Sequence, residues 1–224
     1  VFLWSRLAGL QPGPLIAWGA ALLSFIVLSW EIRQIVVQGR LKALLSTKSF
    51  KLPLHERVLL AAILITTATR YWVVRTLDAP LWGDGYQHTL ITQLLVDHQG
   101  LFDSWLPYAE LGSFTYHFGF HSASALLHWI TGLSVPKSTL YTGQIFNLLA
   151  VVTLYPLTMR LTRNRWAALV SLIAAGLLFP LPMAYVNWSR YTQLAGQAIL
   201  LAFVCLAWLL FEELELDKGL VALT

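Results

Sequence analysis

Charge is scarce in this chain and cysteine is almost absent. Only 12% of its 224 residues are Asp, Glu, Lys or Arg, against ~25% in an ordinary soluble domain. With 57% hydrophobic residues and a mean hydropathy of +0.64, the shortfall excludes a soluble globular domain and points to the bilayer as solvent. The one cysteine, Cys205, sits inside an apolar run, so no intrachain disulfide can form and the sequence gives no redox compartment. A phosphate-binding glycine loop, a CxxC pair and a serine-hydrolase elbow are also missing, which leaves nucleotide-dependent chemistry without support. The net charge of +4 is no sign of nucleic-acid binding. The basic residues stand in loops beside apolar runs, the pattern that orients membrane helices.

A helix needs roughly 20 apolar residues to cross a hydrocarbon core of about 30 Å. Segments 14–31, 57–77, 117–133, 139–159, 166–186 and 192–212 are long enough in apolar content to be considered. Of ten tryptophans many, among them Trp72, Trp82, Trp105, Trp166 and Trp188, stand near the ends of such runs, as expected for side chains with an apolar body and a polar tip. The connection 32–57 holds Arg33, Arg40, Lys42, Lys48, Lys51 and Arg57 against Glu56 alone, and is expected to be cytoplasmic. The connection 78–116 holds Asp78, Asp84, Asp97, Asp103 and Glu110 and no Lys or Arg, so it is expected outside.

If 117–133 crossed as well, Arg160, Arg163 and Arg165 would form a basic cluster outside, against the positive-inside rule. That segment carries His117, His121 and His128 and is short, so it is read as a helix lying at the outer leaflet. A second juxtamembrane helix is expected over about 85–98, where Leu90, Leu94 and Leu95 have helical spacing and Gly100 stops it. The expected fold is all-α: a polytopic transmembrane bundle of about five spanning helices plus outer juxtamembrane helices. Its parts are 1–56, a first span and a basic connection; 57–212, a core with the outer loop 78–138; and 213–224, a cytoplasmic tail or the start of a further region. Because the sequence begins at Val1 rather than Met, it is expected to be part of a longer chain. No cleavable signal peptide is expected, since the first apolar run leads into a basic segment.

Few residues outside the apolar runs can carry chemistry. Asp84 lies between Gly83 and Gly85, which let the backbone turn close to the bilayer surface; it either meets a lipid headgroup or caps the following helix. His88 falls one helical turn later, where the two can share a proton, metal or phosphate; the plain alternative is a solvated interfacial histidine. His117 and His121 have the i, i+4 spacing of a zinc pair, but no HExxH glutamate or cysteine accompanies them, which favours hydrogen bonding to phosphate or hydroxyl groups. Arg190, between Trp188 and Tyr191 in the outer turn 187–193, suits a phosphate or diphosphate bidentately, or snorkels to headgroups as an anchor. Arg70 and Arg75 stand near the outer end of an apolar run, where an arginine is costly without a partner or a function. Asp78, Asp84 or a lipid phosphate are the candidate partners.

The stretch DAPLWGDGYQHTLITQLLVDHQGLFDSWLPY, followed by YHFGFHSASALLHWITG and the runs up to NWSRYTQLAG, resembles the GT-C superfamily of polytopic glycosyltransferases, which use polyprenyl-phosphate-linked sugars. The resemblance covers about residues 57–212. It implies that Asp84 matches the first-loop catalytic carboxylate, a general base or metal ligand. Arg190, and with it His88, would face the departing lipid phosphate, with Tyr191, His117, His121 and Arg70 as further substrate-binding residues. The oligosaccharyltransferase members of that superfamily carry an acidic pair or triplet on the second outer turn; here NWSRYTQLAGQ has no acid, so the cofactor stays open and a divalent metal lacks support. The implied partners are membrane lipids, a polyprenyl-phosphate-linked sugar and other membrane subunits, but no nucleic acid. The implied location is a prokaryotic plasma membrane with the active face outward. The alternative expectation is a non-catalytic accessory subunit of a larger membrane complex, a degenerate relative of the same fold.

Overall fold

The structure is a computed structural model that describes residues 2–11, 13–37, 52–113 and 116–221. The basic residues 40–51 of the expected cytoplasmic connection and the last three residues of the expected tail lie outside them. Among the described residues there is no strand, and the expected all-α fold is found. The helices are α1 (Phe2–Leu7), α2 (Gly13–Val37), α3 (Leu54–Val74), α4 (Trp82–Asp97), α5 (Gly119–Thr131), α6 (Val135–Val152), α7 (Leu154–Thr162), α8 (Arg165–Ile173) and α9 (Tyr191–Val221). A π-helical turn (Ala174–Leu178) and a 3-10 turn (Met183–Val186) follow α8. Among the described residues four helical stretches, against about five expected, are long and apolar enough to cross a membrane: Gly13–Gln34, Leu54–Val74, Val135–Thr162 and Tyr191–Glu213. The protein is a helical membrane protein.

The chain divides into two compact units, Val1–Leu54 with Gln87–Thr139, and His55–Tyr86 with Leu140–Thr224. Residues 87–139, grouped in the expectation with the core 57–212, cluster with the N-terminal part. In the first unit Phe2, Ile91, Leu94, Leu95, Phe102 and Ala125 form the core. Phe2 stacks on Trp129, centroids 6.1 Å apart at 7°, and the Gly13 amide donates to the Gln99 carbonyl at 2.9 Å. The 13 residues of α5 measure about 20 Å, too short to span, in keeping with its reading as a non-crossing helix.

The second unit has two ends that its own contacts identify. At one, Arg165 donates to His55 Nε2 at 3.0 Å and Arg160 pairs with Glu212 at 3.2 Å. At the other, Arg190 pairs with Asp84 at 3.2 Å. The pieces α3, α6–α7, 165–190 and α9 therefore run alternately between these ends, as the charge pattern predicts. The third passage differs from expectation in form. Segment 166–186 is expected as one spanning helix, whereas the helical stretch is Arg165–Leu178, about 21 Å at 1.5 Å per residue. Asn164 starts it, its Oδ1 accepting from the amides of Trp166 and Ala167 at 2.9 and 3.2 Å. Its end is set by Pro180 and Pro182, which cannot donate to a preceding turn; the ladder first widens, with the Phe179 amide on the Ala174 carbonyl at 2.9 Å. The passage is completed by irregular chain. Pro156 likewise removes a donor and separates α7 from α6 at Thr153.

Candidate functional site

In the second unit the juncture of residues 81–86 with the 187–190 turn is built from close approaches. Ser189, at φ 51°, donates its hydroxyl to the Leu81 carbonyl at 2.6 Å. Gly85 lies so near that a Cβ there would stand 2.8 Å from both Pro80 Cβ and Ser189 Oγ. Only glycine fits, which gives the Asp-Gly pair a packing reason. The α4 helix starts at Trp82, three residues before the expected start at about 85, so Asp84 falls in its first turn rather than ahead of it. Its carboxylate meets the Arg190 guanidinium at 3.2 Å, with the side chains 44% and 54% exposed respectively. A pair this open contributes about 0–1 kcal/mol. Folding hardly needs it, so both groups remain available to a ligand.

Two other expected binding residues are placed differently. Tyr191 is fully buried, and its ring lies against Gly143, where a Cβ would be 2.4 Å from Tyr191 Cε1. Arg70 is also fully buried. Its Nε donates to Asn147 Oδ1 at 2.7 Å and its Nη2 to the Gly176 carbonyl at 2.8 Å, while Asn147 Nδ2 donates to the Pro182 carbonyl at 3.1 Å. The π turn and the prolines free these carbonyls, and irregular backbone at membrane depth is tolerated only where protein satisfies it. Arg70 and Asn147 do that. Asn147 was not singled out by sequence; its only signal is an amide in the middle of an apolar run.

In the first unit the histidines form a group of their own. His88 Nδ1 and His121 Nε2 are 3.0 Å apart, with His88 4% exposed and His121 fully buried, so His88 is not a solvated interfacial residue. Phe120 and Tyr116 flank the pair, ring centroids 5.6 and 6.4 Å from His88. Burial, and after it the charge of His88, pushes His121 down to about 3, so it is neutral at physiological pH. One proton then lies between the two rings. His117 is exposed and stacks on Tyr116 at 4.0 Å.

No family model, curated protein or solved structure matches this chain.

The geometry therefore stands by itself. It joins Asp84 with Arg190 and His88 with His121, and sets Arg70 and Tyr191 in buried structural positions. Among the described residues no three His, Cys, Asp or Glu side chains group closely enough to hold a metal ion.

Proposed function

We propose that this chain carries a GT-C-like glycosyl-transfer site, moving a sugar from a polyprenyl-phosphate donor to an acceptor hydroxyl at the outer face of a prokaryotic plasma membrane. The observation behind this reading is the Asp84–Arg190 pair, 3.2 Å apart and half-exposed, in which a base and an anion-binding group meet from segments far apart in sequence. In this reading Asp84 takes the proton of the acceptor hydroxyl as its oxygen bonds to the anomeric carbon. The bond from that carbon to the phosphate oxygen breaks, and the lipid phosphate leaves with the electron pair. Arg190 stabilises the departing charge, and the carboxylate also favours an oxocarbenium-like transition state. A divalent metal fits this donor set poorly, because Asp84 faces a guanidinium and the 187–193 turn has no carboxylate. The chemistry draws on the carboxylate and the guanidinium.

The test is transfer from a radiolabelled polyprenyl-phosphate sugar in proteoliposomes holding the wild type, Asp84→Asn or Arg190→Gln. Loss of a positioned base is expected to cost about 10²–10⁴-fold; full activity of Asp84→Asn would overturn the assignment. The accessory-subunit reading draws on α2, which is exposed on all sides over residues 22–33 and so leaves room for a partner helix to pack on it. Stoichiometric co-purification of membrane partners, with transfer absent from the wild type, favours that reading.

A further inference from the structure

Arg6 pairs with Asp103 in the first unit, and this ion pair stands between two clefts. One, of about 530 Å³, is lined by Leu3, Arg6, Phe102, Asp103, Tyr116 and Phe118 among others, with His117 also on its wall. The second, of about 290 Å³, shares Arg6, Leu101 and Asp103 with it. The larger lies within the ~300–1,000 Å³ of small-molecule sites. Its polar side chains are a guanidinium, an imidazole, a phenol and a single carboxylate. That carboxylate is 76% exposed, so it is weakly held and easily displaced.

The pair is also not what holds α1 in place. Phe2 is buried in the core and stacked on Trp129, and the Leu10 amide closes the end of α1 on the Ser5 carbonyl at 2.8 Å. The other face of α1 exposes Leu3, Trp4 and Leu7 just ahead of the candidate span Gly13–Gln34, which suits the boundary between water and lipid. We propose that this cleft binds an anionic amphiphile, whose phosphate or carboxylate group displaces Asp103 from Arg6 while its apolar part lies on Leu3 and Phe118. Asp103 then acts as a built-in competitor. A guanidinium suits this role because its planar fork takes a phosphate or carboxylate bidentately.

The proposal is independent of the Asp84–Arg190 reading, and the two can fail separately. It predicts responses of opposite sign from the two halves of one ion pair. Phosphatidylglycerol binding is measured by native mass spectrometry and by titration into nanodiscs of phosphatidylcholine, with inorganic phosphate as the soluble probe. Asp103→Asn is expected to tighten phosphatidylglycerol binding several-fold, and Arg6→Gln to weaken it by about tenfold or more. Thermal melts of both variants should match the wild type, because the pair is exposed. If inorganic phosphate alone shows the same opposite responses, the anion comes from solution and the same chemistry holds. Equal affinity of all three proteins for both probes overturns the proposal, as does weakening by both substitutions, which marks the pair as structural.

Discussion

His121 shows how a single side chain makes one unit sensitive to acid. Its folded value of about 3 lies well below the ~6.5 of an unperturbed histidine. A depressed histidine stabilises the folded form fully above the unfolded value, and that contribution is lost as pH falls from about 6.5 toward about 3. Unfolding takes up one proton there, so the first unit should lose about 2 kcal/mol between about pH 7 and about pH 5. Thermal melts across that range check it, and His121→Phe should flatten the dependence; an unchanged slope would mean that another group carries it. The sequence showed the i, i+4 pair His117 and His121 but not which ring is buried. That was decided by His88, 33 residues away in the chain, a contact no local spacing encodes. Arg70 is the same kind of case: its position in an apolar run announced a partner, yet the partners are the Asn147 amide and a main-chain carbonyl, not the carboxylates expected.

Among the elements, the contact of α6 with the start of α9 is the tightest glycine contact. A Cβ on Gly143 would fall 2.4 Å from the Tyr191 ring, whereas one on Gly196 meets nothing within 4 Å. Gly143→Ala is therefore expected to cost about 1–3 kcal/mol by overpacking. Gly196→Ala should be neutral or gain up to about 1 kcal/mol from helix propensity. Denaturation of the two variants in the same detergent checks the contrast, and equal effects would refute the packing assigned to Gly143. The broken passage 165–190 was legible in part. Pro180 and Pro182 are visible breakers, but apolar length alone reads the segment as one helix. The break persists because Arg70 and Asn147 stand ready for the freed carbonyls, and Gly176 lets it lie close to Thr66 and Val151, where a Cβ would be 3.0 Å from each.

For the molecule as a whole, the alternation of passages in the second unit is the testable feature. If 165–190 crosses from the His55 end to the Asp84 end, residues 161 and 188 face opposite sides of the membrane. Leu161 and Trp188 are 58% and 50% exposed, so Leu161→Cys and Trp188→Cys in a Cys205→Ala background are suitable probes. An impermeant maleimide added to intact cells is expected to label Trp188→Cys and to reach Leu161→Cys only after permeabilisation. Labelling of both from the same side would remove the crossing.

The amino-acid sequence by itself determined the helical class, the membrane as solvent, the positions of the long apolar helices and the alternating direction of the core passages. These follow from composition, apolar run length and the placement of Lys and Arg, which act locally or through the bilayer. It also singled out Asp84 and Arg190, because a carboxylate beside glycines and a lone arginine on a turn are conspicuous at the ends of apolar runs. Only the tertiary structure decided that these two meet, that His88 turns to His121, that Arg6 meets Asp103, and that Arg70 and Tyr191 are buried. Each depends on which distant segment fills the facing space, and in an apolar chain many helix faces look alike until packing selects one.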